Sequence, residues 1–200
     1  AVRDFLPDAL LGIERVAAAL GAGNFAAMPA LQHVWLPETS IRFVRHDFTG
    51  KPGFELIVPI DQAVSLLDRI VALGARPIGF ALLDYLRIDA GIPWFGRDID
   101  EKTIPPETGQ IERGISYHKG CYLGQEVIER MRSHGTVARR LVRVGGAGEV
   151  PLHLPADIAH GDSVVGRLTS GAPIPGGGWI GLGYLRRSAN EPGALRVRDP

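Results

Sequence analysis

Apolar positions along the chain follow two rhythms, and the change from one to the other divides it. In the earlier part they return every three or four residues, the period of a helix with one buried face. Leu10, Ile13, Val16, Ala17 and Leu20 make such a stripe, and Gly21 closes it. Val64, Leu67 and Val71 make a second, flanked by Leu66, Ile70 and Leu73; Asp61 stands where a cap is needed and Gly74 where a helix stops. A third helix is predicted from about Phe80 to Ile88, with Leu82, Leu83, Leu86 and Ile88 apolar and Gly91 and Pro93 ending it. Between the first two helices, Ile41 to Phe48 and Phe54 to Ile60 read as strands. The second of these alternates Phe54, Leu56, Val58 and Ile60 on one face, and the turn Thr49-Gly50-Lys51-Pro52-Gly53 joins the pair as a hairpin.

From Arg139 onward the rhythm shortens to alternating runs separated by Gly and Pro: Leu141 to Val144, Ser163 to Leu168, Trp179 to Leu185 and Ala194 to Val197. These predict a small, barrel-like β domain following an α+β domain. The boundary is placed near Gly135 to Arg139, giving an α+β region at 1–136 and a β domain at 137–200. Ile92 to Gly114 reads as one long irregular connection, and no internal repeat is present.

Composition narrows the class. With 200 residues and 45% of them apolar, the chain is long and apolar enough to bury a core. Lys and Arg number 22 against 22 Asp and Glu, so binding that works by bulk neutralisation of phosphates is not indicated. The longest apolar runs, such as Val16 to Leu20, fall far short of the roughly 20 residues of a membrane span. Cys121 is the only cysteine, which excludes an internal disulfide and a cysteine-rich zinc site and fits a reducing, cytoplasmic setting. The chain starts at Ala1 without a visible targeting segment and is expected to be truncated.

The richest stretch for chemistry is Ile115-Ser116-Tyr117-His118-Lys119-Gly120-Cys121-Tyr122-Leu123-Gly124-Gln125-Glu126, followed by the helix-compatible run Val127-Ile128-Glu129-Arg130-Met131-Arg132. Gly120 and Gly124 bracket the lone thiol at or just before a helix N-terminus. There the helix dipole and the neighbouring Lys119 ammonium favour a nucleophilic thiolate. A buried cysteine that fills space is the competing reading.

At residues 119–126, Lys-Gly-Cys-Tyr-Leu-Gly-Gln-Glu resembles the signature of the YgfZ family of folate-binding proteins, relatives of the aminomethyltransferase (T-protein) of the glycine cleavage system. Asp47 to Leu56 is similar to the family's Gly-containing hairpin. Leu86 to Pro93 resembles its Leu-Arg-Ile-Glu-Ala-Gly segment. Gly166 to Ser170 and Ile180 to Arg187 resemble its C-terminal barrel. The resemblance implies a three-lobed α+β ring around tetrahydrofolate, of which this chain supplies the later part and the C-terminal β-barrel, with the opening lobe missing. It implies a role in iron–sulfur cluster assembly or repair and in tRNA thiomethylation. The expected partners are folate and iron–sulfur enzymes or their assembly proteins; direct tRNA contact is left open. The T-protein's catalytic aspartate lies in the opening lobe and matches no residue here.

The same resemblance places Cys121 at the family's motif cysteine; with Lys119 beside it as the candidate reactive pair, Gln125 and Glu126 are candidate folate contacts. Asp89 falls where relatives use Glu to pair with the amino-pyrimidine edge of the pterin. A carboxylate suits two adjacent N–H donors, although Asp reaches roughly 1.5 Å less far; satisfaction of the helix end is its other reading. Tyr85, Trp94 and Tyr117 are candidates for stacking on a flat ring or for ordinary packing. Gly96 to Glu101 reads as a solvated loop, and no metal is expected. Arg130, Arg132, His134, Arg139, Arg140 and Arg143 form the densest basic stretch, either a solvated junction or a site for acidic groups. His33, His46, His153 and His160 lack paired spacing. Two further functions stay open: an aminomethyltransferase that transfers a one-carbon unit to tetrahydrofolate, and a non-catalytic docking scaffold.

Overall fold

The structure, a computed structural model, describes residues 14–21, 23, 27–135, 137–189 and 195–198, with the backbone alone at His134. Leu10, Ile13 and Ala194 lie outside the described residues. The chain forms two compact units, residues 1–80 and 81–200.

In the first unit, residues 14–19 are helical (α1), and Gly21 in the left-handed region ends the run. Three antiparallel strands follow in the spatial order β1-β2-β3: β1 (His33–Leu36), β2 (Ile41–Arg45) and β3 (Phe54–Ile57). The hairpin is as predicted, with Phe43 opposite Leu56 and Arg45 opposite Phe54. Its loop is fastened by Asp47, whose Oδ1 accepts from the Gly53 N–H and from Arg45 Nε, both at 3.0 Å. β1 was not foreseen. All but one of its four residues are exposed, so the alternation by which a strand announces itself is absent. The core gathers Ala17, Met28 and Phe43 with Phe54 and Leu56, and the rings of Phe43 and Phe54 stack at 4.6 Å.

The second helix, α2 (Ala63–Ala72), forms as its period requires. It is preceded by a 3-10 turn at Ile60–Gln62, and Asp61 makes no side-chain capping bond, contrary to its expected role. Nor is the predicted stripe its packing face: Leu66 is the buried residue, whereas Val64 and Leu67 are 72% and 54% exposed.

All but the first residue of α3 (Phe80–Asp89), which ends at Gly91, belongs to the second unit. The predicted irregular connection contains a 3-10 turn at Pro105–Thr108 and one helical turn, α4 (Ile111–Gly114). Then comes α5 (Gln125–His134), entered through Gly124 at φ +89°, a conformation in which a Cβ would be strained. Five strands follow: β4 (Arg139–Gly146), β5 (Ala156–His160), β6 (Ser163–Pro173), β7 (Trp179–Arg186) and β8 (Leu195–Arg198). They form one antiparallel sheet in the order β4-β7-β6-β5-β8. The sheet is open: among the described residues no ladder joins β4 to β8. Close strand approach depends on small residues, since a Cβ at Gly166 would lie 2.2 Å from the Tyr184 carbonyl oxygen. One cluster packs Ile88 of α3 with Leu141, Ala172, Ile180, Leu182 and Tyr184; another gathers Ile158, Leu168 and Trp179.

Candidate functional site

The ends of α3 carry the most connected polar groups of the second unit. Asp84, Arg87 and Ile88 lie three and four positions apart, so charge and hydrocarbon share the helix's inner face. Arg87 has no exposed surface. Its Nε donates to Asp84 Oδ1 at 2.7 Å, Nη1 to Asp98 Oδ2 at 2.7 Å and to the Ile92 carbonyl at 3.2 Å, and Nη2 to Ser170 Oγ at 2.8 Å. Asp98 is equally engaged. It accepts the Trp94 N–H at 2.9 Å and the Thr169 hydroxyl at 2.6 Å. Arg97 donates to Asp84, and both Arg87 and Arg97 lie over the Trp94 ring, at 5.5 and 5.6 Å. Such a network ties helix, loop and β6 together, and every buried charge in it has its counterion.

The expectation of a solvated loop at Gly96 to Glu101 is therefore corrected at Asp98, which is buried, while Asp100 and Glu101 are exposed. Asp98 reads as surface in sequence because its partner Arg87 comes from another element. Trp94 packs into the same network as a lid on two guanidinium groups.

Asp89 is the last residue of α3, and its side chain is exposed. Arg143 of β4 donates to the Asp89 carbonyl and, at 3.1 Å, to Oδ1. That contact holds one carboxylate oxygen and leaves Oδ2 toward solvent, an arrangement able to accept an N–H from a planar heterocycle. Tyr85 packs against the Ile88 cluster.

Cys121 is a free, solvent-exposed thiol four residues ahead of the first residue of α5. This removes the space-filling reading within the chain as described. Around it, the Tyr122 N–H donates to Gln125 Oε1 at 3.2 Å, closing the turn into the helix. The Lys119 ammonium sits 4.5 Å from the centre of the Tyr122 ring. The neighbouring Tyr117 ring is covered by Arg132 at 4.4 Å, and Glu126 is exposed on the first turn of α5. Asp89 and Cys121 belong to separate sets of contacts.

Much of the basic stretch is neutralised locally. Arg132 pairs with Glu129 at 3.3 Å, Arg139 Nε donates to Glu107 at 2.9 Å, and Arg143 holds Asp89. A cleft of about 760 Å³ is lined by β4, β8 and the 147–152 loop, with Arg143 on its wall. None of Tyr85, Asp89, Tyr117, Gln125 and Glu126, the candidate folate contacts, lines it. A smaller cavity of about 230 Å³ lies beside Tyr184 and Asp100. Burial pushes the Tyr184 phenol up to about 12, against the opposing pull of Arg139. The Thr103 hydroxyl, with the Lys102 N–H, holds Asp100 below the ordinary carboxylate range. Among the described residues no cluster of His, Cys, Asp and Glu is arranged to hold a metal ion, and no helix is long and apolar enough to cross a membrane.

This α+β chain with open antiparallel sheets, a charged helix end and a separate exposed thiol loop is similar to proteins of a named family. The GCVT N-terminal domain family model matches residues 16–117. The chain belongs to that family. It is 31% identical over 196 residues to an aminomethyltransferase of Corynebacterium jeikeium, covering 94% of this chain and 49% of that protein. It is 32% identical over 162 residues to the mitochondrial aminomethyltransferase of Gallus gallus, covering 76% of this chain and 40% of the other. The crystal structure of glycine cleavage system aminomethyltransferase T from Bartonella henselae superposes with a TM-score of 0.71 at 23% identity, over 94% of this chain and 53% of that one. The chain thus spans about half the length of the curated relatives it matches, and the structural likeness establishes the fold.

Proposed function

We propose that this chain is the tetrahydrofolate-holding part of a GCVT-domain protein of the YgfZ type, in which Cys121 serves iron–sulfur cluster assembly or repair and, through it, tRNA thiomethylation. The observation that carries this reading is the solvent-exposed Cys121 within Lys119-Gly120-Cys121-Tyr122-Leu123-Gly124-Gln125-Glu126. A thiol at that place can be oxidised or can carry sulfur, which a carboxylate cannot.

Tetrahydrofolate suits the chemistry of the groups that the motifs single out. Asp89 would hold the amino-pyrimidine edge through the oxygen Arg143 leaves open, with Gln125, Glu126 and the Tyr117 face as further contacts; Tyr85 would support Asp89 from the core. When bound, the folate supplies a carrier for one-carbon units. The chain's own residues orient it: Arg143 fixes the carboxylate, and the Arg87 network fixes the helix that bears it. The three-lobed ring with a terminal barrel is part of this reading and rests on the resemblance of the sequence motifs to the YgfZ family.

One-carbon transfer to tetrahydrofolate is the second reading. The names of the relatives favour it, because all three described above are aminomethyltransferases. The two readings part at the thiol. Calorimetric titration with tetrahydrofolate tests what they share, and a Cys121→Ser variant tests where they differ. Loss of iron–sulfur-dependent tRNA thiomethylation in cells, with folate binding retained, supports the YgfZ type. Release of methylene-tetrahydrofolate from an aminomethylated lipoyl carrier, unchanged by the variant, establishes the transferase instead.

A further inference from the structure

The sheet of the second unit carries a row of side chains used neither by the folate reading nor by the Arg87 network. Arg167 on β6 stands directly opposite Tyr184 on β7, and Leu141 on β4 stands opposite the same tyrosine from the other side. Opposed residues of an antiparallel pair share a sheet face, as do residues two apart on one strand. Arg139, two positions before Leu141, and Arg167 therefore flank the Tyr184 phenol. The Arg139 guanidinium carbon lies 4.6 Å from the ring centre.

Tyr184 is 6% exposed, and its hydroxyl is buried without a hydrogen-bond partner. Thr103 is a neighbour that does not meet hydrogen-bond geometry. A buried hydroxyl in that state is uncommon. Tyr184 borders a cavity of about 230 Å³, shared with Arg139, Arg167, Arg97, Asp98, Asp100 and Thr103, several times the ~30 Å³ share of a liquid water molecule.

The acceptors around this space are already engaged. Asp98 is held by Arg87, Trp94 and Thr169. Asp100 accepts from the Thr103 hydroxyl at 2.7 Å and from the Lys102 N–H at 3.0 Å. Among the cations, Arg97 is turned to Asp84 and one edge of Arg139 to Glu107. Arg167 faces Asp157 across β5 but forms no side-chain hydrogen bond or ion pair among the described residues. What is left over is donors: the phenol, the Arg167 fork and the outer edge of Arg139.

We propose that this cavity binds a small oxyanion, a carboxylate or phosphate group, through the Tyr184 hydroxyl and the guanidinium groups of Arg167 and Arg139. A planar fork beside a neutral hydroxyl donor matches the in-plane lone pairs of such a group. The site uses no pterin contact and stands apart from the folate reading.

Heteronuclear NMR titration of the full chain with inorganic phosphate, and separately with acetate, tests it against sodium chloride at equal ionic strength. Saturable shifts at the amides of Thr103, Arg167 and Tyr184 are expected, and chloride should not reproduce them. Tyr184→Phe keeps the ring and its packing, and Arg167→Gln changes an exposed side chain; each should weaken binding about tenfold. Lys102→Gln, whose side chain does not border the cavity, should leave affinity unchanged. Saturation by phosphate alone or by acetate alone supports the site and assigns the group it takes. Shifts that match those of chloride, or an affinity in both variants unchanged from the parent, overturn the proposal and leave the cavity to water.

Discussion

The Arg87 guanidinium meets the Asp98 carboxylate at 2.7 Å with both side chains wholly withdrawn from solvent. Two charges taken out of water attract strongly only because each has further hydrogen bonds: Asp84, Ile92 and Ser170 for the arginine, Trp94 and Thr169 for the aspartate. The pair therefore fixes the position of the 94–98 loop against α3 and β6 more than it adds net stability.

Removing one member exposes that dependence. Arg87→Met should destabilise the chain by about 3–5 kcal/mol, because Asp98 is left charged and buried. Arg87→Lys should recover little of the loss, since an ammonium cannot make the forked contacts. Urea unfolding followed by circular dichroism measures both; a loss below about 1 kcal/mol in Arg87→Met would show that the pair is not isolated from water.

The thiol offers a contrast. Because Cys121 is exposed, Cys121→Ser should change stability by no more than about 0.5 kcal/mol. The native chain should react with a thiol reagent to completion without denaturant. Slow labelling that needs urea would mean the loop closes over the sulfur.

Helix α2 gives a paired test of packing. Leu66→Ala should cost about 2–3 kcal/mol and Leu67→Ala less than about 0.5 kcal/mol, although the residues are adjacent and alike. Equal losses in urea melts would place Leu67 in a contact the structure does not contain.

At the proposed folate end, Asp89→Asn should weaken tetrahydrofolate binding about tenfold by removing the charge from its hydrogen bonds. Arg143→Gln should weaken it less, since it releases the carboxylate without deleting it. Calorimetry that finds tight binding and no effect of Asp89→Asn would remove Asp89 from the site while leaving folate binding itself intact.

Tyr184 predicts a response to alkali. Its folded pKa is raised from 10.0 to about 12, so above pH 10 the unfolded chain gives up this proton first. The contribution is fully present below pH 10 and is lost as pH rises toward 12. Tyr184→Phe should flatten the fall in stability over that window relative to the parent. Parallel curves for the two proteins would indicate that the phenol is solvated.

Repeating patterns made the local structure legible. The period of residues 80–88 marked α3, the Gly50 and Gly53 turn marked the hairpin, and the Gly-bounded apolar runs marked β4, β6 and β7. The motif around Cys121 likewise marked the entry to α5 but left open whether the thiol was buried or exposed. β1 and β5 escaped, the first because it is largely exposed and the second because Ala156-Asp157-Ile158-Ala159-His160 lacks strict alternation. Helix α2 could be named but not oriented, since an apolar stripe states which residues are greasy and not which are covered.

Which charges face one another was settled by the packing of distant elements. Arg87 and Asp98 are 11 positions apart, Arg87 and Ser170 are 83, and Asp89 and Arg143 are 54. The flanking of Tyr184 by Arg139 and Arg167 depends on the register of three strands. Backbone periodicity is a property of neighbours along the chain and is written in the sequence. The pairing of buried charges depends on distances between elements, which exist only once the core has set them.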